Sequence, residues 1–209
     1  MISPTRAPLW LPPEYADLQG GPPSLVLVHI EIGPVSPQGK PLAPPYRQWS
    51  RSWVKQIAQL ANSHLRSAVV SSVTDTSGVG QSTSTTSPWN VIQVAGTITS
   101  GIVVGTGTTA EDRDNYALAT LIAEGTGAGQ LNYQASLGYV VSAITGGYRD
   151  TYDRQVNNNS GSSITIYEMG LIAIHNGVYF LLLRDVLGTP YAVANGAAAV
   201  VRYKIDWLV

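Results

Sequence analysis

"SITIYEMGLIAIHNGVYFLLLRDVLG", residues 163–188, is two apolar runs separated by His175-Asn176-Gly177. Asn-Gly between apolar runs is turn chemistry, so the segment reads as two neighbouring strands across a tight turn. Glu168 lies in phase with Ile164 and Ile166 on the first strand. Arg184 interrupts the second. A carboxylate placed inside an apolar strand pair needs a partner. Two readings stand: an edge-strand Glu168 in water, or an internal Glu168–Arg184 pair, an element of architecture and not of chemistry.

The same texture extends outward. "AVVSSVTDTSG", "VIQVAGTITSGIVVGTG", "QLNYQASLGYVVSAITGG" and "AAAVVRYKIDWLV" are short apolar or alternating runs bounded by Gly, Ser, Thr and Asn. "NNNSGSS" is a further strong turn. In the last run Val201, Tyr203, Ile205 and Trp207 alternate with polar residues, which predicts that the odd positions face a core. The pattern specifies a mainly β fold, a jelly-roll-like β-sandwich.

Two segments differ. Residues 1–45 hold most of the prolines, together with Trp10, Leu11, Tyr15 and the run Leu25–Ile30. They read as an extended arm that must bury its large apolar side chains on its own domain or a neighbour, with the run as one strand. Trp10, Leu11 and Tyr15 are its candidate interface residues. Residues 46–68, "YRQWSRSWVKQIAQLANSHLRSA", place Trp49, Trp53, Ile57, Leu60, Ala61, His64, Leu65 and Ala68 at three- and four-residue steps. That stripe predicts a helix opened by Pro44-Pro45 and anchored on Trp49 and Trp53. The domain then spans residues 46–209.

The chain has 209 residues, of which 12% are charged, with net charge −1 and no cysteine. Such a balance argues against a basic nucleic-acid surface or a polybasic membrane patch. It suits a chain whose surface is covered by other subunits. Without cysteine there is no disulfide, thiolate metal site or cysteine nucleophile. The first residues lack the basic and apolar regions of a signal peptide, and no run approaches the ~18 residues of a membrane span. A protein made in a cytoplasm is expected.

Two glycine clusters, Gly105-Thr-Gly107 and Gly125-Thr-Gly127-Ala-Gly129, suggest phosphate cradles. Neither is followed by the lysine of a P-loop or by a helix, and Glu111, Asp112 and Asp114 would repel phosphate. Tight turns between strands explain both clusters. His29, His64 and His175 lack zinc-ligand spacing, and Asp112, Asp114 and Glu124 lack the calcium-loop pattern. Asn158-Asn159-Ser160 fits a glycosylation site but equally a turn. No serine sits in a nucleophile elbow. Trp89, Tyr133, Tyr139 and Tyr148 are candidates for a sugar platform.

"GIVVGTGTTAEDRDNYAL", "GTGAGQLNY", "NNNSGSSITIYEMGLIA" and "YFLLLRDVLGTPYAVANGAAAVVRYKI", in this order after "SRSWVKQIAQL", resemble a family of tailed-bacteriophage virion proteins. The Glu-x-Gly-Leu strand and its hairpin also resemble phage tail-collar and fibre proteins. The resemblance covers about residues 49–207. It implies a structural virion protein, assembled in the host cytoplasm as a homo-oligomer with other virion proteins, on the capsid or at the head–tail junction. A tail, baseplate or fibre protein is the alternative, and a carbohydrate-binding module the alternative of another class. An enzyme, a cofactor, a metal, a nucleic-acid partner and a membrane partner are not expected.

Overall fold

The computed structural model describes residues 26–50 and 52–208. The chain is mainly β, as the alternation predicts. One sheet has the order β2-β1-β10-β7-β6, built from β1 (Val26–Val35), β2 (Tyr46–Trp49), β6 (Asn132–Ile144), β7 (Gly147–Asn157) and β10 (Ala198–Leu208). A second has the order β5-β8-β9, from β5 (Gly101–Gly105), β8 (Ile164–His175) and β9 (Val178–Val193). A small ribbon pairs β3 (Val73–Thr74) with β4 (Gly80–Gln81), and one helix, α1 (Lys55–Arg66), is present among the described residues.

Period-two alternation builds the core between the two sheets. Val28, Ile30 and Ile32 of β1 stand opposite Ile205, Tyr203 and Val201 of β10. They share one core with Val103 of β5, Ile166 and Met169 of β8, and Phe180, Leu181 and Leu183 of β9. The predicted β8–β9 turn is present. Asn176 and Gly177 both take positive φ, 51° and 77°, between the paired residues His175 and Val178. Two positive φ values are what a two-residue type I′ hairpin demands, and Asn-Gly supplies them with least strain.

Three sequence expectations are corrected. First, the run expected as a strand is one, Val26–Val35, but it lies between β2 and β10 inside the sheet, so the domain includes it and does not begin at 46; residue 41 bridges back to Val35. It is an integral strand because both its faces are apolar or paired. Trp10, Leu11 and Tyr15 lie outside the described residues. Second, the helix covers Lys55–Arg66 and not 46–68. Tyr46–Trp49 is a strand paired to β1, so Pro44-Pro45 precede a strand, and Trp49 packs with Leu27 and Leu208 on the sheet's outer face. Trp53 precedes the helix, bridges to Leu183 and is 36% exposed. The helix buries Gln56, Leu60 and Ser63, while Leu65 is 86% exposed. Pairing with β1 and polar anchoring overrode the tryptophan stripe: Gln56 donates to the Thr74 carbonyl and Ser63 to that of Ser84. Third, Trp207 keeps the odd-position phase but is 44% exposed, its indole N–H donating to Asp150.

On the outer face of the large sheet, Glu31 is buried among cations. It accepts hydrogen bonds from Arg47, Arg202 and Lys204 at 2.9, 2.9 and 2.7 Å. Burial pushes the Glu31 carboxyl up, but the bonds from Lys204 and Arg202, with their charges, outweigh it and hold it at about 2. Burial, then the Lys204 charge, holds the neighbouring His29 at about 3, against the opposing pull of Glu31. The unfolded chain protonates these groups near their ordinary values of 6.5 and 4.5, so it takes up protons that the folded chain refuses. Stability is therefore expected to fall as the pH drops from 6.5 toward 3, first through His29 and then also through Glu31. Urea midpoints recorded between pH 7.5 and 4 check this, with His29→Gln flattening the upper part of the slope. A flat profile between pH 7 and 5 would contradict it.

Candidate functional site

The glycine loop binds an anion, but the anion is the protein's own. Glu168 is fully buried on β8. Its carboxylate accepts hydrogen bonds from the backbone N–H groups of Gly107, Thr120 and Ala119 at 3.1, 2.8 and 3.1 Å. Arg184 of β9 donates through Nε at 2.8 Å, so of the two readings the internal pair is the one formed. The rest of the guanidinium ties down the same loop. It donates to the carbonyls of Thr109 and Ala110 and to the Asn115 side chain. A Cβ on Gly107 would collide with the Glu168 carboxylate, and one on Gly105 would lie 2.5 Å from the Thr120 carbonyl oxygen. Glycine stands here for close approach. The second cluster is closed by its own side chain, Gln130, which accepts from the Gly127 N–H at 2.9 Å.

A second buried guanidinium was not visible in the sequence. Arg154 of β7 points into the sandwich and reaches only carbonyl oxygens, those of Gln134, Ser100, Ile102, Val94 and Thr97. It stacks over Tyr133 at 5.0 Å, a cation–π contact. Burial lowers its pKa. Its role is to hold residues 94–102 against the sheet. Backbone acceptors leave no residue-type pattern, which is why no motif announced it.

The other candidates are scattered or occupied. Asp114 pairs with Lys55 at 2.9 Å on the surface, and Glu124 accepts from Asn132 and the Tyr133 N–H. His64 and His175 do meet, ring centroids 5.6 Å apart, with Trp89 stacked edge-on to His64. No group of three His, Asp or Glu suited to a metal forms among the described residues. The Asn158 side chain is buried and donates to the carbonyls of Ser162 and Val193, so it builds its turn. Tyr133 is in the core, Trp89 beside the helix, and Tyr139 and Tyr148 on the β6–β7 hairpin, so the four aromatics do not share a platform.

What remains open is an apolar surface. The distal β6–β7 hairpin runs past the end of the smaller sheet. Tyr139, Val141 and Ala143 of β6 stand opposite Tyr152, Asp150 and Tyr148 of β7, on the face that elsewhere meets the core. Tyr139 and Tyr148 are 62% and 57% exposed, and Val141 is also exposed. Tyr148 pairs in turn with Trp207. Trp207 leads into a groove of about 500 Å³ shared with Val26, Trp53, Ile57, Ala61 and Trp89. Hairpin face and groove thus form one run of uncovered aromatic and aliphatic side chains, the kind of patch that marks an interaction site. No protein-family model, curated protein or solved structure matches the chain.

Proposed function

We propose that this protein is a structural subunit of a tailed-bacteriophage particle, assembling with copies of itself and with other virion proteins on the capsid or at the head–tail junction. The continuous apolar surface from the β6–β7 hairpin to the Trp53–Trp207 groove carries the reading. It lies on a frame whose loops are locked by Arg184 and Arg154, a rigid body suited to repeated contact. The low charge and the ordered motifs that resemble those of phage virion proteins support the same assignment. The residues that suggested chemistry serve the fold, so binding and not catalysis is the activity proposed. Cryo-electron microscopy of purified particles tests it: density for this fold in symmetric copies on the head or neck is expected, and its absence from the particle would contradict it.

The segment ahead of β1 belongs to this proposal. Burying one large side chain such as Trp10 or Tyr15 on a neighbour is worth about 1.5–3 kcal/mol. Deleting residues 1–20 is expected to leave the far-ultraviolet strand signal unchanged and to weaken assembly, measured by sedimentation. A truncated chain that no longer folds as a soluble domain would show that the segment belongs to its own core.

A further inference from the structure

We infer that two copies of this chain join edge to edge through β6, continuing the five-stranded sheet across a two-fold axis. The inference rests on the self-assembly proposed above and names its seam. The two large sheets have four edges between them, and three carry cover. The β5 edge is covered by residues 120–122: Thr106 N–H donates to the Thr120 carbonyl, and Ile122 N–H to that of Val104. The edges of β2 and β9 close on each other. Gln48 donates to the Val186 carbonyl and accepts from the Gly188 N–H, Tyr46 OH accepts from the Thr189 N–H, and Pro190 follows. On β6 the first half is covered, since Ser136 N–H donates to the Gln93 carbonyl and Gly96 N–H to that of Tyr133. Residues 137–144 have no such cover among the described residues.

Long edge strands are normally guarded by charge, proline or brevity. This one has none of the three. Residues 125–148 contain no Asp, Glu, Lys, Arg or His, and no proline. Leu137, Tyr139, Val140 and Val141 on it are all more than half exposed. A neutral strand meets its own copy without placing like charges opposite one another. Because the other edges of the two large sheets carry the cover described, the pairing proposed is between like edges. A two-fold axis between antiparallel strands stands perpendicular to the sheet, so each residue's copy faces the same side. One residue then lies directly opposite itself. Full overlap of residues 137–144 puts that point at Val140 or Val141.

The absence of cysteine makes the test clean. Residues 137–144 are changed to cysteine one at a time in the full-length chain, and the proteins are oxidised and run without reductant. Directly opposed residues have Cα atoms about 4.5–5.5 Å apart, within the range a disulfide accepts. Cross-linking is therefore expected to peak at Val140→Cys or Val141→Cys and to fall away on both sides. Val140→Lys, at an exposed position, is expected to weaken self-association by roughly tenfold or more through like charges brought together, with circular dichroism unchanged. An oligomer that withstands Val140→Lys and shows no such peak would overturn the β6 seam alone. A wild-type chain that stays monomeric would overturn both the seam and the self-assembly on which it rests.

Discussion

Arg184→Ala is expected to lower the unfolding free energy by about 3–5 kcal/mol, the range for removing one partner of a buried ion pair. The loss has two parts. The Glu168 carboxylate stays buried without its cation, and the carbonyls of Thr109 and Ala110 lose their donor. Removing both charges relieves many buried ion pairs, because the uncompensated charge disappears. Here it is not expected to do so. Glu168 also accepts the N–H groups of Gly107, Ala119 and Thr120, and an apolar residue in its place leaves those donors unsatisfied. In urea unfolding, Glu168→Leu/Arg184→Met should therefore stay well below wild type. Recovery to wild-type stability would show that the pair is an isolated salt bridge and not the keystone of residues 105–120.

The second large effect is expected at Arg154. Arg154→Met keeps much of the side chain's bulk and removes the guanidinium's hydrogen bonds to the carbonyls of residues 94, 97, 100, 102 and 134. Leaving a buried acceptor unpaired costs about 1–3 kcal/mol, and several are involved, some with partial access to water. A net loss of about 3 kcal/mol is expected, offset in part because the buried charge itself is gone. Hydrogen exchange locates the damage. Amides of residues 91–104 should lose protection ahead of those in β1 and β10. Uniform loss across both sheets would contradict a local role.

The contrast between these two arginines shows what the sequence makes legible. Glu168 and Arg184 were readable together because opposite charges flank an Asn-Gly turn in apolar strands, a pattern of residue types. Arg154 satisfies itself on carbonyl oxygens that any residue supplies, so its neighbours in sequence carry no trace of its function. The strands themselves were readable by alternation and turn chemistry. The helix bounds differ because two tryptophans, Trp49 and Trp53, dominate a stripe drawn through residues 46–68, whereas the true inner face includes the polar Gln56 and Ser63. β2 was lost within it, since four residues leave no period to read.

The overhang was hidden for a different reason. Alternation tells that a strand has two faces, and it is blind to how far the opposing sheet extends. Val201, Tyr203, Ile205 and Trp207 are one unbroken pattern, yet the first three meet a core and the last meets open space. The same holds for β6, buried at Tyr133 and bare at Tyr139. An exposed apolar surface of this kind becomes visible only when the layers are stacked.

Light scattering of the full-length chain across micromolar concentrations tests the central claim most directly. The structural-subunit reading predicts a closed oligomer or larger assembly, with a mass that falls when Val140→Lys is introduced. A single species at the monomer mass of 22.2 kDa throughout would contradict it.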